Sequence, residues 1–411
     1  MAAAPTEDGP VQNIGETDCC IVGSGPAGAV LALLLARQGV GVTLLEAHGD
    51  FNRQFRGDTI HPSTLELMEQ LSLRDGLLRI PHTRHETLTL RTPRGVRPYL
   101  DFRGLHTAYP YVLRLPQPRF LEFVTAEASR YPGFRLVMSA RVEALLEDDG
   151  PIRGVGYRGP GGWHKMRANL VVGADGRFSR VRELARLPST KAAQPIDILW
   201  FQLPSRPGDP VTDGGLHVGA GGINFIRNRG QFWQIACLLP KGAYQRVRAA
   251  GLEAVRGAVA ATIPWLDDRT SLLTSWSQTS LLVVESSRAL QWHRPGLLLI
   301  GDAAHVMSPV GGVGINLAIQ DAVAASNLLG SRLRQGTVRS PDLGAVQRRR
   351  EWPTRLIQAL QDLFLQHVLG DRVAASSQAW VGRAAEQVPF LRAVRTRLFA
   401  FGGFWPERVL E

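Results

Sequence analysis

Residues with chemical potential cluster in one segment, Leu297 to Asp321, which reads LLLIGDAAHVMSPVGGVGINLAIQD. Four apolar residues predict a buried parallel strand that ends at Gly301, and the carboxylate of Asp302 follows directly. A loop rich in glycine and proline then leads into an apolar-periodic helix that begins near Ile315. Glycines let backbone lie against a flat ligand, and the N–H groups at a helix start favour negative charge. The segment therefore predicts a site for a planar, electron-poor ring that becomes anionic when reduced.

The motif GSGPAG, from Gly23 to Gly28, has the spacing of a phosphate-binding turn. It lies between a predicted strand, Asp18 to Val22, and a predicted helix of alanines and leucines, Ala27 to Gln38. Another predicted strand, Gly41 to Leu45, ends at an acidic residue about 20 positions beyond the glycines. This order is that of the βαβ unit that binds dinucleotides.

Each part of this unit has a physical role. Gly23 permits the tight turn, Gly25 lets backbone meet a pyrophosphate, and Gly28 lets the helix pack closely on the strand. The acidic residue, Glu46, accepts hydrogen bonds from a ribose and repels a 2′-phosphate. The unit therefore predicts FAD or NAD.

A third segment, GADGRFSRVR from Gly173 to Arg182, repeats the arrangement of strand, turn and helix. With these three motifs in this order and spacing, the chain resembles the class A flavoprotein monooxygenases over roughly residues 15 to 370. This aromatic-ring hydroxylase family includes para-hydroxybenzoate hydroxylase. The resemblance implies FAD as cofactor, NADH or NADPH as a transient co-substrate, and O₂ and a small-molecule aromatic as the remaining reactants.

The resemblance also implies an α/β fold. It combines a Rossmann-like FAD-binding domain of the glutathione-reductase type, an inserted and mainly antiparallel β-sheet domain for the substrate, and a helical C-terminus. Short runs of alternating apolar and polar residues, in two separate parts of the chain, predict that sheet. The expected division is a disordered tail at 1–16, the FAD-binding domain at 17–85, 112–190 and 286–335, the substrate sheet at 86–111 and 191–285, and the C-terminal helical region at 336–411.

Local patterns predict further elements within these regions. They are one strand at Arg135 to Glu143, one helix at Gln245 to Ala261, strands near Leu272 to Ser277 and Leu281 to Val284, and helices around Leu343 to Leu369 and Arg372 to Gln387. The final segment, LRAVRTRLFAFGG, is basic and amphipathic. Packing on its own domain is the default expectation, and a cap on the pocket, a dimer contact or a membrane-surface contact are the alternatives.

The resemblance assigns roles to individual residues. Arg56 approaches the flavin pyrophosphate, and Asp302 binds the ribityl hydroxyls. Either Gln117 or Arg119, at the start of a predicted helix, contacts the ribityl or phosphate region, and both remain open. The full set of expected cofactor-binding residues is Gly23, Gly25, Pro26, Ala27, Gly28, Glu46, Ala47, Arg56, Gly57, Gln117, Arg119, Asp175, Gly176, Gly301, Asp302, Pro309, Gly312, Val313, Gly314, Ile315 and Asn316.

In the resembled family, the inserted sheet forms the wall of the substrate pocket. Its aromatic and polar residues are the candidates for that wall, and strand alternation turns only half of them toward a pocket. They are Trp200, Gln202, Phe225, Trp233 and Gln234. No general base for a substrate hydroxyl stands out. His61 and Pro309 are weak catalytic candidates, and a structural role is the favoured alternative for His61.

Composition limits the class of partner. The chain has 47 basic and 36 acidic residues, and its formal charge of +11 favours anionic ligands. No basic stripe interleaved with aromatics is present, which argues against a nucleic-acid partner. Three cysteines without a CxxC or Cys/His cluster argue against a disulfide framework and a metal. The N-terminus lacks a signal sequence and no apolar run is long enough to span a membrane, so we expect a cytoplasmic protein. The expected oligomeric state is a monomer or a homodimer.

These inferences predict an FAD-dependent NAD(P)H monooxygenase that hydroxylates an aromatic or polyketide-like molecule through a flavin hydroperoxide. The alternative with the same fold is a reductase or oxidase that inserts no oxygen, for example an isoprenoid double-bond reductase. A flavin halogenase is disfavoured, because the tryptophan-containing signature of those enzymes is not evident after GSGPAG. A non-enzymatic FAD-binding sensor is disfavoured by the intact glycine loop beside Asp302.

Overall fold

The structure, a computed structural model, describes residues 13–52, 58–192, 194–210, 214–373 and 389–410. Two expected cofactor residues, Arg56 and Gly57, lie outside the described residues. So does most of the predicted second C-terminal helix, around Arg372 to Gln387.

The elements of the described chain follow in order. The strands are β1 (Asn13–Val22), β2 (Val42–Leu45), β3 (Thr59–Ile60), β4 (Thr83–His85), β5 (Thr87–Thr92), β6 (Gly95–Asp101), β7 (Val112–Arg114), β8 (Phe134–Val137), β9 (Arg141–Glu147), β10 (Ile152–Gly159), β11 (Gly162–Gly173), β12 (Ser189–Ala192), β13 (Ile196–Pro204), β14 (Gly214–Gly219), β15 (Gly222–Asn228), β16 (Phe232–Pro240), β17 (Ser280–Leu282), β18 (Ser286–Ala289), β19 (His293–Arg294), β20 (Leu297–Leu299) and β21 (His305–Val306). The helices are α1 (Pro26–Arg37), α2 (Pro62–Gln70), α3 (Arg74–Leu78), α4 (Gln117–Ala128), α5 (Arg180–Leu184), α6 (Tyr244–Ala250), α7 (Leu252–Thr262), α8 (Asp267–Thr270), α9 (Gly314–Arg334), α10 (Ser340–Val373) and α11 (Pro389–Phe401).

The first sheet carries the three motifs on neighbouring strands. Its order is β19-β20-β11-β1-β2-β8, and the pairs from β20 to β8 are parallel. Strands β10 and β9 continue from β11 as an antiparallel extension. The carboxyl ends of neighbouring parallel strands lie at one edge of a sheet. The turns after β1, β11 and β20, which contain the three motifs, therefore meet at that edge.

Helices cover the faces of this sheet and hold the motif turns in place. Helix α1 begins at Pro26, whose fixed φ suits the first turn, and its residues from Ala27 to Ala36 are buried. Helix α9 packs against α1, and α10 packs against α9. A second apolar cluster, which includes Val181 of α5 and Trp292, packs on the strand side chains that point to the opposite face of the sheet. Burial on both faces explains why the central strands are almost wholly apolar.

The second sheet combines the two chain regions that the sequence predicts to form it. Its order is β17-β13-β16-β15-β14-β5-β6, so β5 and β6 join strands from beyond residue 195. Only the pairing of β14 with β5 is parallel, and the other described pairs are antiparallel. The predicted α/β fold with an inserted, mainly antiparallel sheet is confirmed.

Two predicted strands have the wrong bounds. Strand β1 begins at Asn13, five residues before the predicted start, because residues from Asn13 onward pair with β11. Residues 13–16 are therefore part of a strand and not of a disordered tail. The single strand predicted at Arg135 to Glu143 is instead two strands, β8 and β9, and Ser139 between them has a φ of 57°.

Two elements predicted between residues 245 and 277 also differ. The expected single helix is divided into α6 and α7 at Gly251, whose φ of 85° interrupts helical geometry. No strand forms at Leu272 to Ser277. There the side chain of Ser275 accepts a hydrogen bond from Ser277, and Gln278 completes a capping box that closes a short 3₁₀ turn.

Candidate active site

A single cavity of about 380 Å³ extends from the three motif turns to one face of the second sheet. About half of the expected cofactor residues line it. These are Gly25, Pro26, Ala27, Gln117, Gly176, Asp302, Pro309, Gly312, Val313, Gly314 and Ile315. The structure therefore brings together parts of the chain that are separated by up to about 290 residues.

The glycines of GSGPAG divide into two groups by the space around them. A Cβ on Gly28 would lie 2.0 Å from the carbonyl oxygen of Gly23, and a Cβ on Gly23 would lie 2.5 Å from that of Ala174. These two glycines close the turn. A Cβ on Gly25 would meet its nearest neighbour, the Ala174 carbonyl oxygen, only at 4.0 Å. Gly25 thus leaves open space beside its backbone at the cavity, as a pyrophosphate requires.

Glu46 lies at the carboxyl end of β2 and does not line the cavity. Its carboxylate accepts hydrogen bonds of 3.0 Å from the backbone N–H groups of Ser24 and His48. The side chain therefore fastens the glycine turn to the next strand. Its neighbour, Ala47, is half-buried and also lies outside the cavity lining.

The segment GADGRFSRVR, which begins at the end of β11, brings Ala174, Gly176 and Arg177 to the cavity. The Asp175 carboxylate accepts hydrogen bonds from the Ser179 hydroxyl at 2.5 Å and from the Val181 N–H at 3.0 Å. Burial raises the pKa of Asp175 despite these bonds. Arg182 donates to the Ala303 carbonyl at 2.7 Å and so ties the segment GADGRFSRVR to the turn that contains Asp302. Asp175 therefore organises the turn that presents Gly176.

The turn of the segment from Leu297 to Asp321 is held by a buried carboxylate on helix α9 that does not line the cavity. Asp321 accepts hydrogen bonds from the Gly301 N–H at 2.9 Å and from Arg350 Nε at 2.9 Å, and it lies 2.6 Å from His305 Nε2. Burial favours the neutral form of Asp321, but His305 and Arg350 together hold its pKa below the ordinary value. Gly301 itself does not line the cavity, whereas the next residue, Asp302, does.

Asn316 and His61 connect the start of α9 to the segment before α2. The Asn316 side-chain oxygen accepts a hydrogen bond of 2.8 Å from the His61 N–H, and the Asn316 amide donates to the Thr59 carbonyl. Burial lowers the pKa of His61 to about 4, so its ring is neutral near pH 7. The Nδ1–H of that ring then donates to the Phe399 carbonyl at 2.8 Å. His61 lines the cavity, and its backbone N–H and ring Nδ1 are both hydrogen-bonded to other parts of the chain. Asn316 lies outside the cavity lining.

The structure separates the two alternatives at the start of α4. Gln117 lines the cavity. The Arg119 side chain is 66% exposed and pairs with Glu122 on the same helix at 3.0 Å. Of the two residues, only Gln117 lines the cavity.

Strand alternation decides which sheet residues face the cavity. Trp200 and Phe225 line it, as expected, together with apolar residues on the same face. Those apolar residues are Ile196, Ile198, Leu216, Ala236, Leu238, Leu282 and Val284.

Three of the five expected substrate residues are placed elsewhere. Trp233 is on the opposite face, wholly buried and packed against Trp265 with ring centroids 5.0 Å apart. Gln202 is exposed and lies outside the cavity lining. Gln234 is buried behind the lining, where its side-chain oxygen accepts a hydrogen bond of 2.9 Å from Arg227 Nε.

A buried ion pair at the cavity was not anticipated from the sequence. Arg227 of β15 donates to the carboxylate of Asp58, and both residues line the cavity. Arg229 forms a second ion pair with the same carboxylate. Asp58 and Arg227 are 169 positions apart, so no local pattern joins them. The available signal was the pair of arginines at alternate positions, 227 and 229, where β15 ends.

The basic C-terminal segment forms helix α11 and packs on its own chain. The Phe399 ring lies against Gly311, where a Cβ would approach the ring to 2.3 Å. Arg395 lies over the ring of Tyr99, with 4.2 Å between its guanidinium carbon and the ring centroid. Since Tyr99 and Gly311 both line the cavity, α11 supports the cavity wall.

Comparison with known proteins identifies the family. A family model described as "FAD binding domain" matches residues 16–359. The 6-methylpretetramide 4-monooxygenase of Streptomyces rimosus is 35% identical over 94% of this chain and 92% of its own length. A 12-dehydrotetracycline 5-monooxygenase/anhydrotetracycline 6-monooxygenase of Streptomyces rimosus is 28% identical. The match covers 77% of this chain and 63% of that protein.

Solved structures share the fold. The anhydrotetracycline hydroxylase OxyS from Streptomyces rimosus matches with a TM-score of 0.76 at 23% identity, and the match covers 94% of this chain and 76% of OxyS. The p-nitrophenol 4-monooxygenase PnpA from Pseudomonas putida matches with a TM-score of 0.75 at 18% identity, over 95% of this chain and 99% of PnpA. At these identities the likeness concerns the fold alone.

Within the described residues, no helix combines the length and the apolar character needed to cross a membrane. No group of three or more histidine, cysteine or acidic side chains is arranged to hold a metal in that same part of the chain. The open glycine turns and Asp302 at one cavity fit a flavin dinucleotide. Together with the family match, these observations show that the chain belongs to the class A flavoprotein monooxygenases and takes FAD as its cofactor.

Proposed function

We propose that this enzyme uses NADH or NADPH and O₂ to hydroxylate a polycyclic aromatic molecule of the polyketide class. The observation that carries the proposal is the continuity of one cavity from the FAD turns to a broad apolar wall. The substrate named for the 35%-identical relative, 6-methylpretetramide, supports the same class. A flat, largely apolar molecule complements such a wall, because its burial removes apolar surface from water.

The residues that would hold FAD follow from their positions. Gly25 and Gly176 offer backbone to the pyrophosphate, and Asp302 accepts hydrogen bonds from the ribityl chain. The N–H groups of Gly314 and Ile315, at the start of α9, would stabilise negative charge on the reduced ring. FAD, when bound, supplies the capacity to take a hydride from the nicotinamide and to activate O₂. Arg56 and Gly57 remain predicted pyrophosphate contacts.

The substrate half of the cavity has two physical tasks. Trp200 and Phe225 provide flat surfaces against which an aromatic ring stacks. The aliphatic residues around them exclude water, which protects reactive oxygen chemistry from unproductive decay. Pro309 also lines the cavity and would limit the approach to the ring.

Anaerobic reduction tests this proposal against the alternative of a reductase or oxidase. The purified holoenzyme is mixed with NADH or NADPH in the absence of O₂, with and without a panel of polycyclic phenols. We expect the oxidised-flavin absorbance to disappear faster with one ligand class present. Reduction at a rate that no aromatic changes would favour the alternative, and failure of both nucleotides to reduce the flavin would contradict the use of NAD(P)H.

A further inference from the structure

Arg227 presents a buried cation to an otherwise apolar part of the cavity. The residue is 8% exposed and lines the cavity beside Trp200, with 5.8 Å between its guanidinium carbon and the Trp200 ring centroid. Its Nε donates to Gln234, and its Nη1 donates to Asp58. Neither bond uses Nη2. The guanidinium is therefore held in one orientation at the cavity wall.

Two guanidinium groups, those of Arg227 and Arg229, share one carboxylate, that of Asp58. Arg114, which also lines the cavity, adds a further positive charge that acts on Arg227. Burial lowers the pKa of Arg227 to about 10, and at pH 7 it remains a cation. A buried cation is costly unless an anion or good acceptors accompany it.

The geometry points to Arg227 as the residue that selects substrates carrying an ionised phenol or enol oxygen on their ring system. A guanidinium donates charge-assisted hydrogen bonds, which are stronger to an anionic oxygen than to an ether or a neutral carbonyl. This inference rests on the proposed function, because it assigns a chemical group to the substrate of the same cavity. It adds that the ring must be acidic, which the apolar wall alone does not require.

Binding to the oxidised holoenzyme tests the inference without turnover. The probes are 7-hydroxycoumarin, a planar phenol, and 7-methoxycoumarin, its methyl ether, each titrated while the absorbance of probe and flavin is followed. We expect the wild type to bind the phenol about tenfold more tightly than the ether. The bound phenol should also show the phenolate absorbance at a lower pH than the free phenol does.

The variant Arg227→Met removes the charge while Asp58 keeps Arg229 as its partner. We expect this variant to lose the preference for the phenol and the shift in phenol ionisation, with the affinity for the ether nearly unchanged. The matched control is Arg229→Met, which removes an equal charge from a residue outside the cavity lining and should retain the preference. The flavin spectrum and thermal stability of both variants establish that they are folded.

Two results would overturn the inference. Equal binding of phenol and ether by the wild type would show that Arg227 does not read an ionised oxygen. A preference that Arg227→Met retains would assign the selection to another group. Both results are separate from a failure of the proposed function, which appears in flavin reduction and oxygen transfer and not in these equilibrium titrations.

Discussion

The backbone N–H of Gly301 donates a hydrogen bond of 2.9 Å to the carboxylate of Asp321, which lies 20 residues further along the chain. A buried side chain of α9 thereby fixes the turn that presents Asp302 to the cavity. The same carboxylate binds Arg350 of α10, so the flavin turn is tied to the C-terminal helical region. Asp321 thus acts on the site through the backbone and does not itself line the cavity.

Replacing Asp321 with asparagine should weaken both the fold and the FAD site. The variant removes the nearer of the two carboxylates around the buried Arg350 and leaves it only Glu407, at 3.6 Å. Loss of one member of a buried ion pair costs about 3–5 kcal/mol. Urea unfolding measures the loss of stability, and FAD titration of the apoprotein measures the weaker site. The control is Asp148→Asn, which breaks an exposed pair with Arg167 and should cost less than about 1 kcal/mol. Equal stability losses in the two variants would contradict the account.

The two alanine variants Gly25→Ala and Gly28→Ala should fail in different ways. A Cβ on Gly28 meets a backbone oxygen at 2.0 Å, so this variant should be unstable with or without FAD. A Cβ on Gly25 has 4.0 Å of clearance and a φ of −72°, which alanine accepts. The Gly25→Ala apoprotein should therefore melt within a few degrees of the wild type and bind FAD at least about tenfold more weakly. Normal FAD affinity in Gly25→Ala would show that the pyrophosphate does not approach this backbone.

The opposite faces of the second sheet should separate stability from substrate recognition. Trp233→Ala empties a wholly buried position and should cost about 3–5 kcal/mol of unfolding free energy. Phe225→Ala removes a half-buried ring from the cavity wall, so its larger effect should be on the KM for the aromatic substrate. Chemical denaturation and steady-state kinetics of both variants check the contrast. A reversed pattern would mean that the face assignment is wrong.

Asp209 should make a pH-dependent contribution to stability. Two hydrogen bonds from Arg269, of 2.7 and 2.9 Å, lower the pKa of Asp209 to about 2 in the folded protein. The unfolded chain has a value of about 3.9. The contribution is therefore present above about pH 4 and is lost as the pH falls through about 2. Stability curves of the wild type and Asp209→Asn should converge over that window, and a constant difference between them would contradict this role.

The sequence predicts the parts of this fold that depend on periodicity and on local turn chemistry. The βαβ unit at GSGPAG and the helix after the third motif are found close to their expected positions, because glycine, proline and apolar spacing specify them locally. Alternation predicts a strand where the short capped turn at Ser275 forms, because a capping box depends on side-chain contacts that alternation does not show.

Contacts between distant residues lay beyond a sequence pattern. The ion pair of Asp58 with Arg227 exists because the second sheet packs over the segment before α2, and nothing near either residue specifies the other. The face of Trp233 depends in the same way on the register of β16 against β13 and β15, since a shift of one residue would turn it toward the cavity.

Transfer of an oxygen atom is the most direct test of the central claim. The holoenzyme is incubated with NADPH or NADH under ¹⁸O₂, in the presence of a panel of polycyclic polyketide phenols, and the products are analysed by mass spectrometry. A class A monooxygenase of this substrate class should yield a product that carries one ¹⁸O atom per molecule, with one reduced nicotinamide consumed for each. Consumption of nicotinamide with a product that is reduced or dehydrogenated and free of ¹⁸O would contradict the hydroxylase account.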